Sequence, residues 1–139
     1  MSKNRSRIKK PSKNNSKFTA SDEPNYNEMP PIFSLERIQN TKYCFTKLNK
    51  DMQAAFATSI YKRRDITWKQ IAQEGRHGLG YEKIAKDSID PPLPRFITED
   101  INSFMAFRFS GKKPMVGYRQ KNIFYILWFD LDFTLYDHS

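Results

Sequence analysis

Apolar residues recur at two different spacings along this chain, and a third stretch shows no recurrence at all. Residues 1–31 carry mostly Ser, Asn, Lys and Pro with few apolar side chains, and Pro24, Pro30 and Pro31 punctuate their end. Such a segment buries too little apolar surface to offset the entropy of ordering it, so it is predicted to be a disordered tail. From residue 32 to residue 139 the pattern is that of a single folded domain. Ile32-Phe33-Ser34-Leu35 reads as a short strand. Leu48, Met52, Ala55, Phe56 and Ile60 recur at helical spacing and predict a helix from about Asn49 to Lys62, with Asn49 as N-cap. Lys62, Arg63 and Arg64 crowd its last turn, where positive charge suits the helix dipole.

Thr67-x-x-Gln70 has the form of a capping box, and Ile66 and Ile71 are spaced as a hydrophobic staple. Gly75 stands where a helix end favours a left-handed residue, so residues 67–74 are predicted as a second, short helix. Tyr81-Glu82-Lys83-Ile84 fits either a strand or a turn of helix, and the prolines between residues 91 and 94 demand a loop. Three strand-like runs follow, Phe104–Phe109, Met115–Arg119 and Ile123–Phe129, separated by turn-forming residues around Gly111 and Asn122. The last is apolar at every position, the mark of a strand covered on both faces. The expected fold is α+β: a short N-terminal strand and two helices packed on a C-terminal three-stranded antiparallel meander.

Charge alters this picture less than the totals suggest. The chain of 139 residues has 24 Lys and Arg against 15 Asp and Glu, a formal net charge of +9. Seven basic residues and no acidic one lie in residues 1–20, so the basic character belongs mainly to the tail. That tail is either simply solvated, or an arm that meets phosphates, or an import signal. No apolar run approaches the ~20 residues of a membrane span, and no apolar segment follows the basic N-terminus as a secretory signal requires. The single cysteine, Cys44, forms no intramolecular disulfide and suits a reducing, cytoplasmic setting. One Cys and two His exclude a Cys/His structural zinc site.

Several segments carry possible chemistry. Phe129-Asp130-Leu131-Asp132-Phe133-Thr134 resembles the first motif of haloacid-dehalogenase phosphatases. Phe133 stands where that motif needs glycine, and too little chain follows for the rest of that domain, so this reading is set aside. Asp130 and Asp132 then read as two solvated acids sharing one face at a strand end. Gly75-Arg76-His77-Gly78-Leu79-Gly80 has neither P-loop nor Rossmann spacing, but it holds Arg76 and His77 between glycines, where an arginine to bind phosphate and an imidazole to move a proton project freely. Arg108 and Arg119 each interrupt an otherwise apolar strand. With an even turn between the strands the two guanidinium groups fall on one sheet face and form a phosphate site; with an odd turn they part.

The element order, together with Phe107-Arg108-Phe109, Val116-Gly117-Tyr118-Arg119, Ile123-Phe124-Tyr125-Ile126-Leu127 and Tyr136-Asp137-His138, resembles the RelE/ParE toxin superfamily. That resemblance implies a toxin of a toxin–antitoxin system, a metal-independent and cofactor-free endoribonuclease acting on mRNA, in its RelE-like members on the ribosome. It implies Arg119 as the arginine that stabilises phosphate charge with Arg108 assisting, and Tyr136 or His138 as the C-terminal group that orients the nucleotide or moves a proton. His77 joins them as a candidate base from its loop context alone. Arg76, Lys83, Lys112, Lys113 and Tyr118 are the expected RNA contacts, by charge and by base stacking. An antitoxin protein is the implied partner beside RNA or the ribosome. The alternatives are a gyrase-inhibiting ParE-like toxin, a non-catalytic RNA- or ribosome-binding module, and a structural domain in which Arg108 and Arg119 pair with acids such as Glu99.

Overall fold

A five-stranded mixed sheet organises the molecule. The computed structural model describes residues 23–138, so the expected disorder or nucleic-acid contact of residues 1–22 lies outside the described residues. The strands are β1 (Ile32–Ser34), β2 (Glu82–Ala85), β3 (Ser103–Ser110), β4 (Lys113–Gln120) and β5 (Ile123–Phe129), in sheet order β1-β5-β4-β3-β2. The chain is therefore α+β, with two helices, α1 (Lys50–Lys62) and α2 (Trp68–Ile71). The antiparallel run β3-β4-β5 is present, but it forms the middle of a wider sheet. β2 adds antiparallel to β3, and β1 adds parallel to β5.

Local signals produce the helices where they were expected. The Asn49 side chain accepts from the Met52 amide at 2.9 Å and caps α1. Thr67 and Gln70 form the reciprocal capping box, the Gln70 side chain accepting from the Thr67 amide at 2.9 Å. α2 is shorter than the spacing predicts. Gln73 and Glu74 donate back to Gln70 and Ile71 in tight turns, and Gly75 does not adopt the left-handed conformation. Residues 24–31, which composition assigned to the tail, are held in place: Tyr26–Glu28 is a 3-10 turn capped by Asn25, and the Trp68 amide donates to Met29 O at 3.0 Å.

Both faces of the sheet are covered, by different means. One face carries Phe107, Met115, Phe124, Ile126 and Phe129, packed under Leu48, Phe56, Trp68 and Ile71 of the helical side. The other carries Ile84, Phe104, Ala106, Val116, Tyr118 and Leu127, covered by Tyr43, Ile89 and the C-terminal Leu135 and Tyr136. This two-sided covering explains why β5 is apolar throughout. Close strand approach also fixes Gly117: a Cβ there would lie 1.8 Å from Tyr125 O.

Two bulges set which side chains share a face. The β3–β4 turn is even, with Gly111 (φ +59°) and Lys112 between Ser110 and Lys113. Phe109 is an extra residue, however, and shifts the pairing so that Arg108 lies opposite Pro114. A bulge moves every preceding side chain to the other face. Arg108 thus joins Phe104 and Ala106, while Arg119, opposite Phe124, projects on the helical face. The expected convergence of Arg108 and Arg119 does not occur. The second bulge, at Leu127, lets both Leu127 and Trp128 join the core opposite the helices.

Candidate active site

Beyond β5 the chain makes a turn around a buried carboxylate. Asp130 is fully buried, its amide donating to Pro114 O at 3.0 Å. Its Oδ1 accepts from the amides of Thr134 (2.9 Å) and Leu135 (3.2 Å), and its Oδ2 meets His138 Nε2 at 2.7 Å. The reading of Asp130 and Asp132 as two solvated acids on one strand face is thereby corrected. The strand ends at Phe129, Asp130 turns inward, and only Asp132 is exposed, bonded to Thr134 Oγ1 (2.6 Å) and facing Lys42 (3.4 Å). Phe133, at the position where the phosphatase motif has glycine, adopts φ +61°, a left-handed conformation uncommon for a bulky residue.

His138 is held from three sides. Its ring stacks on Tyr136 with centroids 3.9 Å apart and meets Phe133 edge-on at 5.2 Å, while Asp130 anchors Nε2. A carboxylate only accepts, so the ring proton facing it sits on Nε2, which leaves Nδ1 to take a proton from elsewhere. His77 is fixed in the complementary sense. Arg108 Nη1 donates to its Nδ1 at 2.7 Å, which places the ring proton on Nε2 as a donor.

These groups line one cleft of about 460 Å³, bounded by Arg76, His77, Glu82, Arg108, Lys112, Phe133, Asp137 and His138. The 75–80 loop, the start of β2, the β3–β4 hairpin and the C-terminal turn each supply part of it. Arg76 is paired with Glu82 at 2.9 Å, so its charge is partly spent inside the cleft. Of the expected site residues, Arg76, His77, Arg108, Lys112 and His138 are brought together here.

The others fall elsewhere or serve otherwise. Arg119 lies over the Trp68 ring at 4.4 Å and donates to Asn27 Oδ1 at 2.8 Å, on the far side of the sheet. Tyr118 is buried, stacked on Tyr125 and accepting from Arg37, so it presents no free ring to a base. Lys83 is exposed on the edge strand β2 outside the cleft, and Lys113 sits over the Phe133 ring at 5.7 Å. The ion pairing of Arg108 and Arg119 with Glu99 is not found, since their partners are His77 and Asn27. Asp130 and Phe133 are cleft-building residues that the sequence reading did not place; the one signal for Asp130 was an acid directly after an all-apolar strand with apolar Leu131 and Leu135 following.

Tyr136 is also buried, and burial, reinforced by the Glu82 and Asp130 carboxylates, pushes its phenol well above the usual tyrosine range. It therefore stays protonated at neutral pH and serves to pack His138 rather than to accept a proton. A testable sign follows. Above pH 10.0, the ordinary tyrosine value, the unfolded chain releases this proton and the folded chain keeps it, so stability falls as pH rises past that point. In Tyr136→Phe this alkaline loss should be smaller than in the wild type, measured by urea denaturation across pH 9 to 11 (roughly the window bracketing the reference value).

Among the described residues no group of three or more His, Cys, Asp and Glu side chains is arranged to hold a metal ion, and no helix is long and apolar enough to cross a membrane. No protein-family model, no curated protein and no solved structure matches the chain.

Proposed function

We propose that the protein is a metal-independent endoribonuclease whose cleft cleaves RNA by attack of a ribose 2′-OH on its own phosphodiester. The observation that carries this reading is the pair of histidines on one cationic cleft, each with a defined proton position and with Arg108 bonded to one of them. Transesterification needs a base for the hydroxyl, positive charge for the pentacoordinate phosphate and an acid for the leaving oxygen. His138 Nδ1, oriented by Asp130, takes the 2′-OH proton. The 2′-oxygen bonds to phosphorus, the P–O5′ bond breaks, and the 5′-oxygen takes a proton from the Lys112 ammonium, while neutral His77 hydrogen-bonds the leaving oxygen through Nε2–H without giving that proton up. Arg108 and Lys112 balance the charge that builds on the phosphoryl oxygens. The products are a 2′,3′-cyclic phosphate and a 5′-hydroxyl.

This assignment replaces the base role that the loop context suggested for His77, whose Nδ1 is occupied by Arg108 and whose Nε2–H serves as a hydrogen-bond donor. It keeps the RelE-like resemblance as a reading of the fold and includes cleavage on the ribosome and an antitoxin covering the cleft. Arg119 is not part of the catalytic set in this reading.

The test is cleavage of mRNA by the purified full-length protein, on translating ribosomes and free, with the new ends mapped chemically. Cyclic phosphate and 5′-hydroxyl ends, persisting in EDTA and lost in His138→Ala, are expected. RNA binding without any new ends would replace this reading with a non-catalytic RNA- or ribosome-binding module. Growth arrest on expression with neither binding nor ends would point to the ParE-like alternative.

A further inference from the structure

On the other side of the His77–Arg108 pair lies a second cavity, of about 380 Å³, whose composition is one-sided. Lys62, Arg63, His77 and Arg108 line it, and no Asp or Glu does. At its wall is Arg63, the C-cap residue of α1, which is 1% exposed. Its Nε donates to Leu79 O (2.9 Å), its Nη1 donates to Ser59 O (3.0 Å), and its guanidinium lies over the Phe107 ring at 4.9 Å. These contacts anchor the glycine-rich loop to α1, but every one is to a neutral group.

A buried guanidinium ordinarily has a carboxylate partner, because burial of an unpaired charge is costly. Arg63 has no acidic partner among the described residues, and none of them takes a hydrogen bond from its Nη2. Burial lowers its proton affinity to about 10, which still leaves it charged at neutral pH. An acid-free cavity walled by several cations concentrates positive potential and draws in an anion. Guanidinium geometry favours phosphate over a spherical anion through paired N–H donors.

We propose that this cavity is a phosphate-binding site with Arg63 at its base and Lys62 and Arg108 at its rim. The site rests on the acid-free cationic lining and the acid-less Arg63 behind it, and holds whether or not the adjacent cleft cleaves RNA. A free phosphate ion and a backbone phosphate of a nucleic acid share this chemistry. Because His77 and Arg108 border both cavities, a chain lying in the cleft would pass its neighbouring phosphate into this one.

The experiment is a two-dimensional NMR titration of the full-length protein with inorganic phosphate and, separately, with a short 2′-O-methyl oligoribonucleotide that has no attacking hydroxyl. Saturable shifts of the Arg63 Nε–H signal and of the Gly78 and Gly111 amides are expected with phosphate, and at lower concentration with the oligonucleotide. Shifts with phosphate alone would assign the site to a free anion. Absence of shifts at those three positions with either probe would overturn the proposal. Lys62→Gln, an exposed change, should weaken phosphate binding several-fold, and a folded Arg63→Met should abolish it; unchanged affinity in both would equally overturn it.

Discussion

Asp130→Ala should destabilise the protein by about 3–5 kcal/mol, the range for breaking a buried charged hydrogen-bond cluster by removing one member. Asp130 accepts from two backbone amides and anchors His138, and its removal strands the buried Leu135 amide and leaves the part-buried Thr134 amide without its acceptor. Leu135 is itself fully buried, so the turn cannot open to solvent without uncovering core. The informative partner is Asp130→Asn. Its Oδ1 still accepts from both amides, and the cost in stability should be about 1–2 kcal/mol. Its amide nitrogen, however, presents hydrogens to His138 Nε2. The ring must then move its proton to Nδ1, the atom required as the base. Cleavage should fall by about 10²–10⁴-fold while the urea midpoint drops far less than in Asp130→Ala. Full activity in Asp130→Asn would remove the Asp130–His138 pair from the mechanism.

Arg108→Ala and Arg119→Ala should differ sharply. Loss of a charge-stabilising donor at a phosphoryl centre typically costs about 10²–10³-fold in turnover, and that is the expected effect at Arg108. Its removal also frees His77 Nδ1 and loosens the ring whose Nε2–H faces the leaving oxygen. Arg119→Ala removes a cation–π contact with Trp68 and a hydrogen bond to Asn27, so it should cost about 1 kcal/mol of stability. Its cleavage rate should stay within a few-fold of the wild type. Single-turnover cleavage with melting controls checks both. The opposite outcome would move the reacting centre to the surface formed by Trp68, Asn27 and Arg119.

The contrast between these two arginines also shows what could be read from sequence. Hairpins, the capping box and the all-apolar β5 are local patterns, encoded within a few residues of where they act. Facing is not local. An even turn at Gly111-Lys112 was the condition for Arg108 and Arg119 to converge; the turn is even, yet Phe109 bulges and reverses the face of Arg108. Nothing in Phe107-Arg108-Phe109-Ser110 marks which of these residues is the extra one. The parallel pairing of β1 with β5 was equally silent, because a three-residue strand says nothing about its partner. His138 and His77 were visible as chemical types, but their proton positions come from Asp130 and Arg108, which are distant from them in sequence or hidden in an apolar run. Tyr118 looked like a stacking platform because an aromatic next to an arginine fits both a binding face and a core, and burial decides between them.

The seam between β1 and β5 joins Ile32 to Ile123, so the first strand waits for the last. During vectorial synthesis the helices and β2–β4 emerge before the β1–β5 side of the sheet can form, and β4 meanwhile exposes an unpaired rim to solvent. The turn that seats His138 emerges later still. A nascent chain should therefore be inert toward RNA until residues beyond 129 have cleared the ribosome, and contacts this far apart along the chain are slow to close. If the cleft is the nuclease site proposed above, that delay opens an interval in which the unpaired edge is accessible before any activity exists.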